Sequence, residues 1–183
     1  MNPAPGVLLI ATPALTDPSF RRTVVYLVEH SDDGSLGFII NRPMTIPLGD
    51  LWGDCPTGLA TSNAAAEGGP VERHKGLLLH GHAGIAGAAP MGLGLFIGGD
   101  LQKVASHWAT GPDRQGPRLY LGHSGWTSGQ LDDEIANGAW LLRPGALDLI
   151  TSAGAVDSLS SGELLWQRLS GSGPHGLPAP SLN

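Results

Sequence analysis

The fold of this chain is indicated by residues 23–41, which read Thr-Val-Val-Tyr-Leu-Val-Glu-His-Ser-Asp-Asp-Gly-Ser-Leu-Gly-Phe-Ile-Ile-Asn. The segment Thr23–His30 is rich in β-branched and aromatic residues and is apolar on both faces, which predicts a strand in the interior of a sheet. Ser31–Ser35 has the composition of a turn, and Leu36–Asn41 is apolar again. The two apolar segments are therefore expected to pair as a β-hairpin.

Short apolar segments on both sides of this hairpin predict further strands. These are Val7–Ala11, Gly76–His82, Leu93–Ile97, Arg118–Gly122 and Trp140–Arg143. Residues 53–66 show no periodicity and are predicted to form a loop, as is the Gly/Ala-rich chain between the strands at 76–82 and 93–97.

Helices are predicted where capping residues precede apolar residues at helical spacing. A short helix is expected after Pro47 and another over Ala146–Thr151. Asp100 is expected to cap a third helix, and Thr127 a fourth, with the Gln130 side chain reaching back. Ser160 and Glu163 are expected to form the capping box of a last helix. Strands and helices alternate loosely along the chain. We therefore predict an α/β fold, a mixed sheet covered by helices in a single domain over residues 1–170.

The composition excludes several classes of protein. Only 14% of the 183 residues are charged and 41% are hydrophobic, which excludes a disordered chain. The 28 glycines and 15 prolines follow no triplet period, which excludes a collagen-like chain. A disordered tail is predicted only for residues 171–183, where Gly, Ser and Pro dominate. Cys55 is the only cysteine, so no intramolecular disulfide can form, as suits a reducing cytosol.

No membrane segment is expected either. Residues 76–99 lack charged side chains over the length of a membrane span, but their eight glycines and Pro90 would make a poor helix. The N-terminus has no basic region of the kind that begins a signal peptide. We predict a cytoplasmic protein.

The net charge of −6 disfavours direct binding to nucleic acid, because that affinity comes largely from cations that neutralise phosphates. The ten cationic residues are dispersed along the sequence. Arg21–Arg22 is the densest pair, and Arg73 and Lys75 come next.

Ser124 is one candidate for chemistry. It lies in Gly122-His-Ser-Gly-Trp126, which is similar to the Gly-x-Ser-x-Gly nucleophile elbow but has a tryptophan in place of the last glycine. A small hydrolase that uses Ser124 or a His-assisted water is the alternative hypothesis. We favour a glycine-rich turn between strand and helix with Trp126 as a wedge.

His80 and His82 lie two residues apart on a predicted strand and would face the same side. With His30 or His123 as a third ligand they could bind a metal ion. No further metal-binding motif supports this reading, so we favour hydrogen-bonded histidines at a strand end and predict no metal.

Asn41-Arg42-Pro43 is the more informative polar cluster. A guanidinium at the end of a buried strand can bind a carboxylate or phosphate in a bidentate manner. It can equally form an internal salt bridge, here to Asp50, Glu67 or Glu134. The Gly68-Gly69-Pro70 segment could leave backbone N–H groups free for an anion, but the lysine and helix of a P-loop are missing. No cofactor is predicted.

These segments together resemble the YqgE/AlgH family of small bacterial proteins. The resemblance spans about residues 6–145. It rests on the following segments: Gly6–Pro13, Asp17–Val25, Glu29–His30, Gly37–Pro43, Gly68–Val71, Leu79–His80, Gly125–Trp126, Gly129–Leu131, Glu134, Gly138 and Trp140. It implies a bulged mixed sheet in one domain. Family members are often labelled transcriptional regulators, and the resemblance implies no catalytic residues.

We therefore predict a non-enzymatic binding or regulatory protein whose partner is a small ligand or another protein. The residues expected to come together in one ligand-binding patch are Asn41, Arg42, Gly68, Gly69, His80, Trp126 and Gln130.

Overall fold

The computed structural model of the chain describes residues 1–61, 64–109, 115–151 and 157–171. Within them the strands are β1 (Val7–Ala11), β2 (Val24–Ser31), β3 (Gly34–Ile39), β4 (Ala65–Glu67), β5 (Val71–His80), β6 (Ala88–Gly92), β7 (Leu95–Gly98), β8 (Arg118–Thr127) and β9 (Trp140–Pro144). The helices are α1 (Leu48–Leu51), α2 (Thr57–Ala60), α3 (Leu101–Ala109), α4 (Gln130–Ala136), α5 (Leu147–Thr151) and α6 (Leu159–Ser170). The predicted disordered tail lies outside the described residues from 172 onward.

The hairpin predicted from residues 23–41 is present as β2 and β3. Tyr26 pairs with Phe38 and Leu27 with Gly37, and a bulge follows Leu27. All five residues from Val24 to Val28 are buried, because the sheet is covered on both faces. The hairpin lies inside one sheet with the strand order β6-β7-β5-β8-β3-β2-β1-β9.

Strand β4 makes the sheet mixed. It pairs in parallel with β8, with Ala65 opposite Leu119, whereas every other strand pair in the described residues is antiparallel. On its other side β4 receives the chain that leaves β3, since the Glu67 N–H donates to the Arg42 carbonyl at 2.9 Å. This pairing brings Arg42 beside Glu67. The predicted mixed, bulged α/β sheet is confirmed.

The side chains of β1 alternate between two cores. Leu8 and Ile10 pack with Trp166 of α6 on one face, while Leu9 and Ala11 pack with Leu131 of α4 on the other. Helices α1–α3 cover a third cluster around Leu48, Val104 and Leu119. None of the helices in the described part of the chain has the length and apolar character needed to span a bilayer.

Four local predictions were wrong. The expected loop at 53–66 contains α2 and the start of β4, and the Gly/Ala-rich chain contains β6. Helix α4 has Gly129 rather than Thr127 as its N-cap, although Gln130 does reach back to the Thr127 N–H as predicted. Helix α6 begins two residues earlier than expected, because Ser158 and Ser161 form the capping box.

Candidate functional site

A cleft of about 600 Å³ opens between the β1–β2 connection, the end of β3 and helix α6. Its volume falls within the roughly 300–1,000 Å³ usual for small-molecule sites. Three guanidinium groups line it, from Arg21, Arg22 and Arg42, and Glu163 is the carboxylate among its described lining residues. We call this site the arginine cleft. It is locally cationic in a chain whose net charge is −6.

The β1–β2 connection presents two of these arginines through a tight turn. The Asp17 side chain accepts the Ser19 N–H at 2.8 Å, and the Asp17 carbonyl accepts the Arg21 N–H at 2.8 Å. Arg22 follows with a φ of 55°, in the left-handed region. The turn therefore directs the chain so that successive residues, Arg21 and Arg22, both line the cleft.

The Asn41 side chain connects three segments of the chain at the arginine cleft. Its buried side-chain oxygen accepts the Val24 N–H at 2.7 Å, and its nitrogen donates to the carbonyls of Arg22 at 2.9 Å and Gly162 at 3.2 Å. One amide thus links β2, the β1–β2 connection and α6. Since both of its donors are used, Asn41 acts as a positioning residue.

Arg42 is half-buried and only loosely paired. Its guanidinium lies 3.7 Å from the Glu67 carboxylate and donates to the Arg21 carbonyl at 3.4 Å. Glu67 is one of the three partners proposed from the sequence, and it also pairs with Arg73. Burial lowers the pKa of Arg42, and the nearby Arg73 and Arg21 lower it further, against the opposing effect of Glu67. An anion bound beside Arg42 would favour its charged form and so oppose this lowering of the pKa.

Arg21 and Arg22 are exposed and keep most of their donors available. Within the described residues the Arg21 guanidinium has no hydrogen-bonding partner, and Arg22 makes one contact of 3.4 Å with Glu163. The Arg22 guanidinium also lies 5.7 Å from the centre of the Trp166 ring, a cation–π distance. A guanidinium offers five N–H donors, so the cleft is rich in donors and poor in acceptors.

Gly68 and Gly69 are required for close packing. A Cβ on Gly68 would lie 2.3 Å from the Gly122 carbonyl oxygen, and one on Gly69 would lie 2.3 Å from that of His123. The Gly68 N–H donates to Leu121 at 2.9 Å. The suggestion that this N–H is free to bind an anion was therefore wrong.

His80 does not line the arginine cleft and lies far from Trp126. Its neighbour Leu79 pairs with Arg118, eight residues along β8 from Trp126, or about 25 Å at the usual rise of a strand. His80 is buried, bonds the Gly98 carbonyl at 2.9 Å and accepts the His82 N–H at 3.2 Å. This is the hydrogen-bonded arrangement favoured over a metal site. Among the residues that the structure describes, no group of three His, Cys, Asp or Glu side chains could hold a metal ion.

Trp126 and Gln130 both contact the Glu134 carboxylate, away from the arginine cleft and from His80. The Glu134 carboxylate accepts the indole N–H of Trp126 at 2.9 Å and that of Trp140 at 2.8 Å. Gln130 donates to the same carboxylate at 2.9 Å and accepts the Thr127 N–H at 3.1 Å. These contacts fasten α4 to the sheet.

The structure does not bring all seven predicted residues to the arginine cleft. Asn41 and Arg42 line it, Gly68 and Gly69 follow Glu67 beside Arg42 without lining it, and His80, Trp126 and Gln130 lie elsewhere. The other charged residues of the cleft, Arg21, Arg22 and Glu163, were not predicted as site residues. The signal available for two of them was that Arg21–Arg22 is the densest cationic pair in the sequence.

Ser124 does not lie on a strand-to-helix elbow. Strand β8 runs through it without a break from Arg118 to Thr127, and Ser124 pairs across to Gly37. Its side chain is fully buried and its hydroxyl donates to the Gly68 carbonyl at 3.2 Å. The predicted turn is thus a strand, and the hydroxyl of Ser124 is directed at a backbone carbonyl.

The fold and the cleft define a class: an α/β protein with a bulged mixed sheet, helices on both faces and an arginine-lined cleft beside the sheet. The family model described as AlgH-like (DUF179) matches residues 8–171. The chain belongs to this family, which confirms the resemblance noted from the sequence.

Relatives from several bacteria support this assignment. The UPF0301 protein azo3459 of Azoarcus sp. (strain BH72) is 37% identical over 151 residues, which are 78% of each chain. A UPF0301 protein of Alcanivorax borkumensis is 33% identical over 158 residues, 81% of each chain.

Solved structures agree with the fold. The solution structure of the AlgH protein from Pseudomonas aeruginosa superposes with a TM-score of 0.62 at 30% identity, covering 90% of this chain and 88% of that one. The crystal structure of DIP2367 from Corynebacterium diphtheriae gives a TM-score of 0.66 at 23% identity and covers 95% and 89% of the two chains.

Proposed function

We propose that this chain is a non-enzymatic binding protein that holds an anionic group in the arginine cleft. The observation that carries the proposal is the imbalance of donors and acceptors in the cleft. Three arginines line the cleft, and the contacts of their guanidinium groups with the chain's own acceptors are few and long, between 3.4 and 3.7 Å. Charge-assisted hydrogen bonds to an anion are normally shorter, at about 2.7–2.9 Å, and stronger.

Binding is favoured over catalysis because the candidate nucleophile and base are engaged elsewhere. Ser124 donates to a backbone carbonyl, and His80 is buried with both ring nitrogens hydrogen-bonded. A general base must reach the proton that it removes. The hydrolase alternative therefore has no geometric support at these residues.

A regulatory role, which the family label implies, is proposed to run through the ligand or a protein partner. The net charge of −6 gives no support to direct DNA binding. We also propose a cytoplasmic location, which the single, half-buried Cys55 suits.

Isothermal titration calorimetry with inorganic phosphate at low ionic strength tests the proposal, because screening weakens such contacts at high salt. The wild-type chain is expected to bind phosphate, and Arg42→Gln is expected to bind it about tenfold more weakly or worse. The matched control is Arg168→Gln, which removes an exposed arginine of α6 that does not line the cleft. Absence of phosphate binding, or equal affinity of Arg42→Gln and the wild type, would refute the proposal.

A further inference from the structure

The arginine cleft also has an apolar wall. Leu15, Leu159 and Trp166 line it beside the guanidinium groups. The Trp166 indole N–H donates to the Ala11 carbonyl at 2.8 Å, so this side chain offers the cleft only its apolar ring. Leu159 is 66% exposed at the start of α6, so its side chain is accessible to a ligand.

The cleft is too large for a lone anion. Its volume of about 600 Å³ is that of a site for an organic molecule of drug size. Such sites combine an apolar lining with a few polar groups that fix the orientation of the ligand. Cationic and apolar residues side by side therefore indicate a ligand with both an anionic head and an apolar body.

We infer that the arginine cleft binds a small organic phosphate monoester, with its phosphoryl group among Arg21, Arg22 and Arg42 and its organic part against Leu15 and Leu159. This inference rests on the proposed anion-binding function and specifies the chemical class of the ligand.

The number of donors favours a phosphoryl group over a carboxylate. One guanidinium can satisfy both oxygens of a carboxylate in a bidentate pair. A phosphate monoester carries three terminal oxygens and a charge of about −1.5 to −2 at neutral pH. The three guanidinium groups of the cleft offer enough donors for the three terminal oxygens of a phosphate monoester.

Glu163 acts as an internal competitor for this ligand. It pairs with Arg22 at 3.4 Å, and the same oxygen accepts a hydrogen bond of 3.2 Å from Gln167. A phosphoryl group that reaches Arg22 must displace this contact or tolerate a nearby carboxylate. Removal of the Glu163 charge is therefore expected to strengthen binding.

Calorimetry with four probes tests the ligand class: inorganic phosphate, phenyl phosphate, benzoate and phenol. Phenyl phosphate supplies both the anion and the apolar body, so it is expected to bind about tenfold more tightly than inorganic phosphate or benzoate. Phenol lacks the anionic head and is expected not to bind.

Two leucines of α6 provide a matched pair of variants. Leu159→Ser is expected to weaken phenyl phosphate binding about three- to tenfold and to leave inorganic phosphate unaffected, because only the apolar contact is lost. Leu164 is 62% exposed on the same helix but does not line the cleft, so Leu164→Ser is expected to change neither affinity. Glu163→Gln is expected to tighten both phosphate ligands about two- to fivefold.

The outcomes separate this inference from the proposed function. If inorganic phosphate binds through Arg42 but phenyl phosphate binds no tighter, the ligand class is wrong and the anion site stands. Equal affinity for benzoate and phenyl phosphate would overturn the assignment to a phosphate monoester. If neither phosphate ligand binds, both the inference and the proposed function fail.

Discussion

The side-chain nitrogen of Asn41 donates a hydrogen bond of 2.9 Å to the carbonyl oxygen of Arg22. Arg22 has a φ of 55°, a left-handed conformation that costs an L-residue roughly 1–2 kcal/mol. The hydrogen bond from Asn41 stabilises the backbone at the point where the chain turns into β2. A buried amide at the end of one strand thereby positions a cation of the arginine cleft.

Asn41→Ala is expected to lower the free energy of unfolding by about 2–4 kcal/mol. The Val24 N–H and the Arg22 carbonyl would lose their partner, and each unsatisfied buried group costs about 1–3 kcal/mol. Urea denaturation measures the change. The control is Asn137→Ala, at an exposed residue after α4, which should stay within about 0.5 kcal/mol of the wild type. Equal stability of the two variants would contradict the role of Asn41.

Glu134→Ala is expected to destabilise the chain by about 2–4 kcal/mol, because the indole N–H groups of Trp126 and Trp140 would both lose their acceptor. Thermal denaturation followed by tryptophan emission measures the loss. Asp133→Ala removes a neighbouring carboxylate of α4 that only complements the helix dipole, so it should cost at most about 1 kcal/mol. If the two variants lose the same stability, the indole contacts contribute nothing specific.

His80 links the stability of the sheet to pH. Its Nδ1 atom accepts the His82 N–H, so the neutral ring carries its proton on Nε2, which donates to the Gly98 carbonyl. Burial lowers the pKa of His80 below 6.5, and the neighbouring His82 and His107 lower it further, although the Gly98 hydrogen bond opposes them. Below about pH 6.5 the unfolded chain takes up a proton at this residue that the folded chain does not.

Stability is therefore expected to fall as the pH drops from about 6.5 toward the lower pKa of the folded chain. Urea denaturation at pH 7.5 and 5.5 measures this loss. In His80→Gln the difference in the free energy of unfolding between pH 7.5 and pH 5.5 should be smaller than in the wild type, whatever the variant does to stability at pH 7.5. His74→Gln, at an exposed residue of β5, should keep the wild-type difference. An undiminished difference in His80→Gln would show that other groups cause it.

The sequence predicted the central hairpin because its signals are local. Residues 24–28 are apolar on both faces, and residues 31–35, which contain the turn at Asp32–Asp33, have a distinctive composition. Strands β4 and β6 were missed for two physical reasons. Ala65–Glu67 has no pattern of its own and depends on pairing with the distant β8, whereas Ala88–Gly92 contains Pro90 and pairs only with the adjoining β7.

The candidate site was predicted only at Arg42 and Asn41. Arg22 and Glu163 are 141 residues apart in sequence and meet only because α6 packs against β1. The pairing of β2 with β3 brings Arg21 and Arg22 beside Arg42, although the cationic residues are dispersed along the sequence. The contact between α6 and β1 has no local sequence pattern, so Glu163 could not be placed at the cleft from the sequence.

Ser124→Ala is expected to leave the hydrolysis of p-nitrophenyl esters at the wild-type level. The hydroxyl is fully buried and donates to the Gly68 carbonyl, so it lacks access to a substrate. The measurement is the rate of p-nitrophenol release, with a no-protein blank. A wild-type rate well above the blank that disappears in Ser124→Ala would revive the hydrolase hypothesis.

Gly68→Ala is expected to destabilise the chain by about 1–3 kcal/mol, because the new methyl group would meet the Gly122 carbonyl oxygen at 2.3 Å and both backbones are fixed by strand pairing. Gly53→Ala is the matched control, since a Cβ there would have no atom within 4 Å. Urea denaturation should separate the two variants clearly, with Gly53→Ala within about 0.5 kcal/mol of the wild type. If Gly68→Ala were as stable as the wild type, the approach of the β4–β5 connection to β8 would be looser than described.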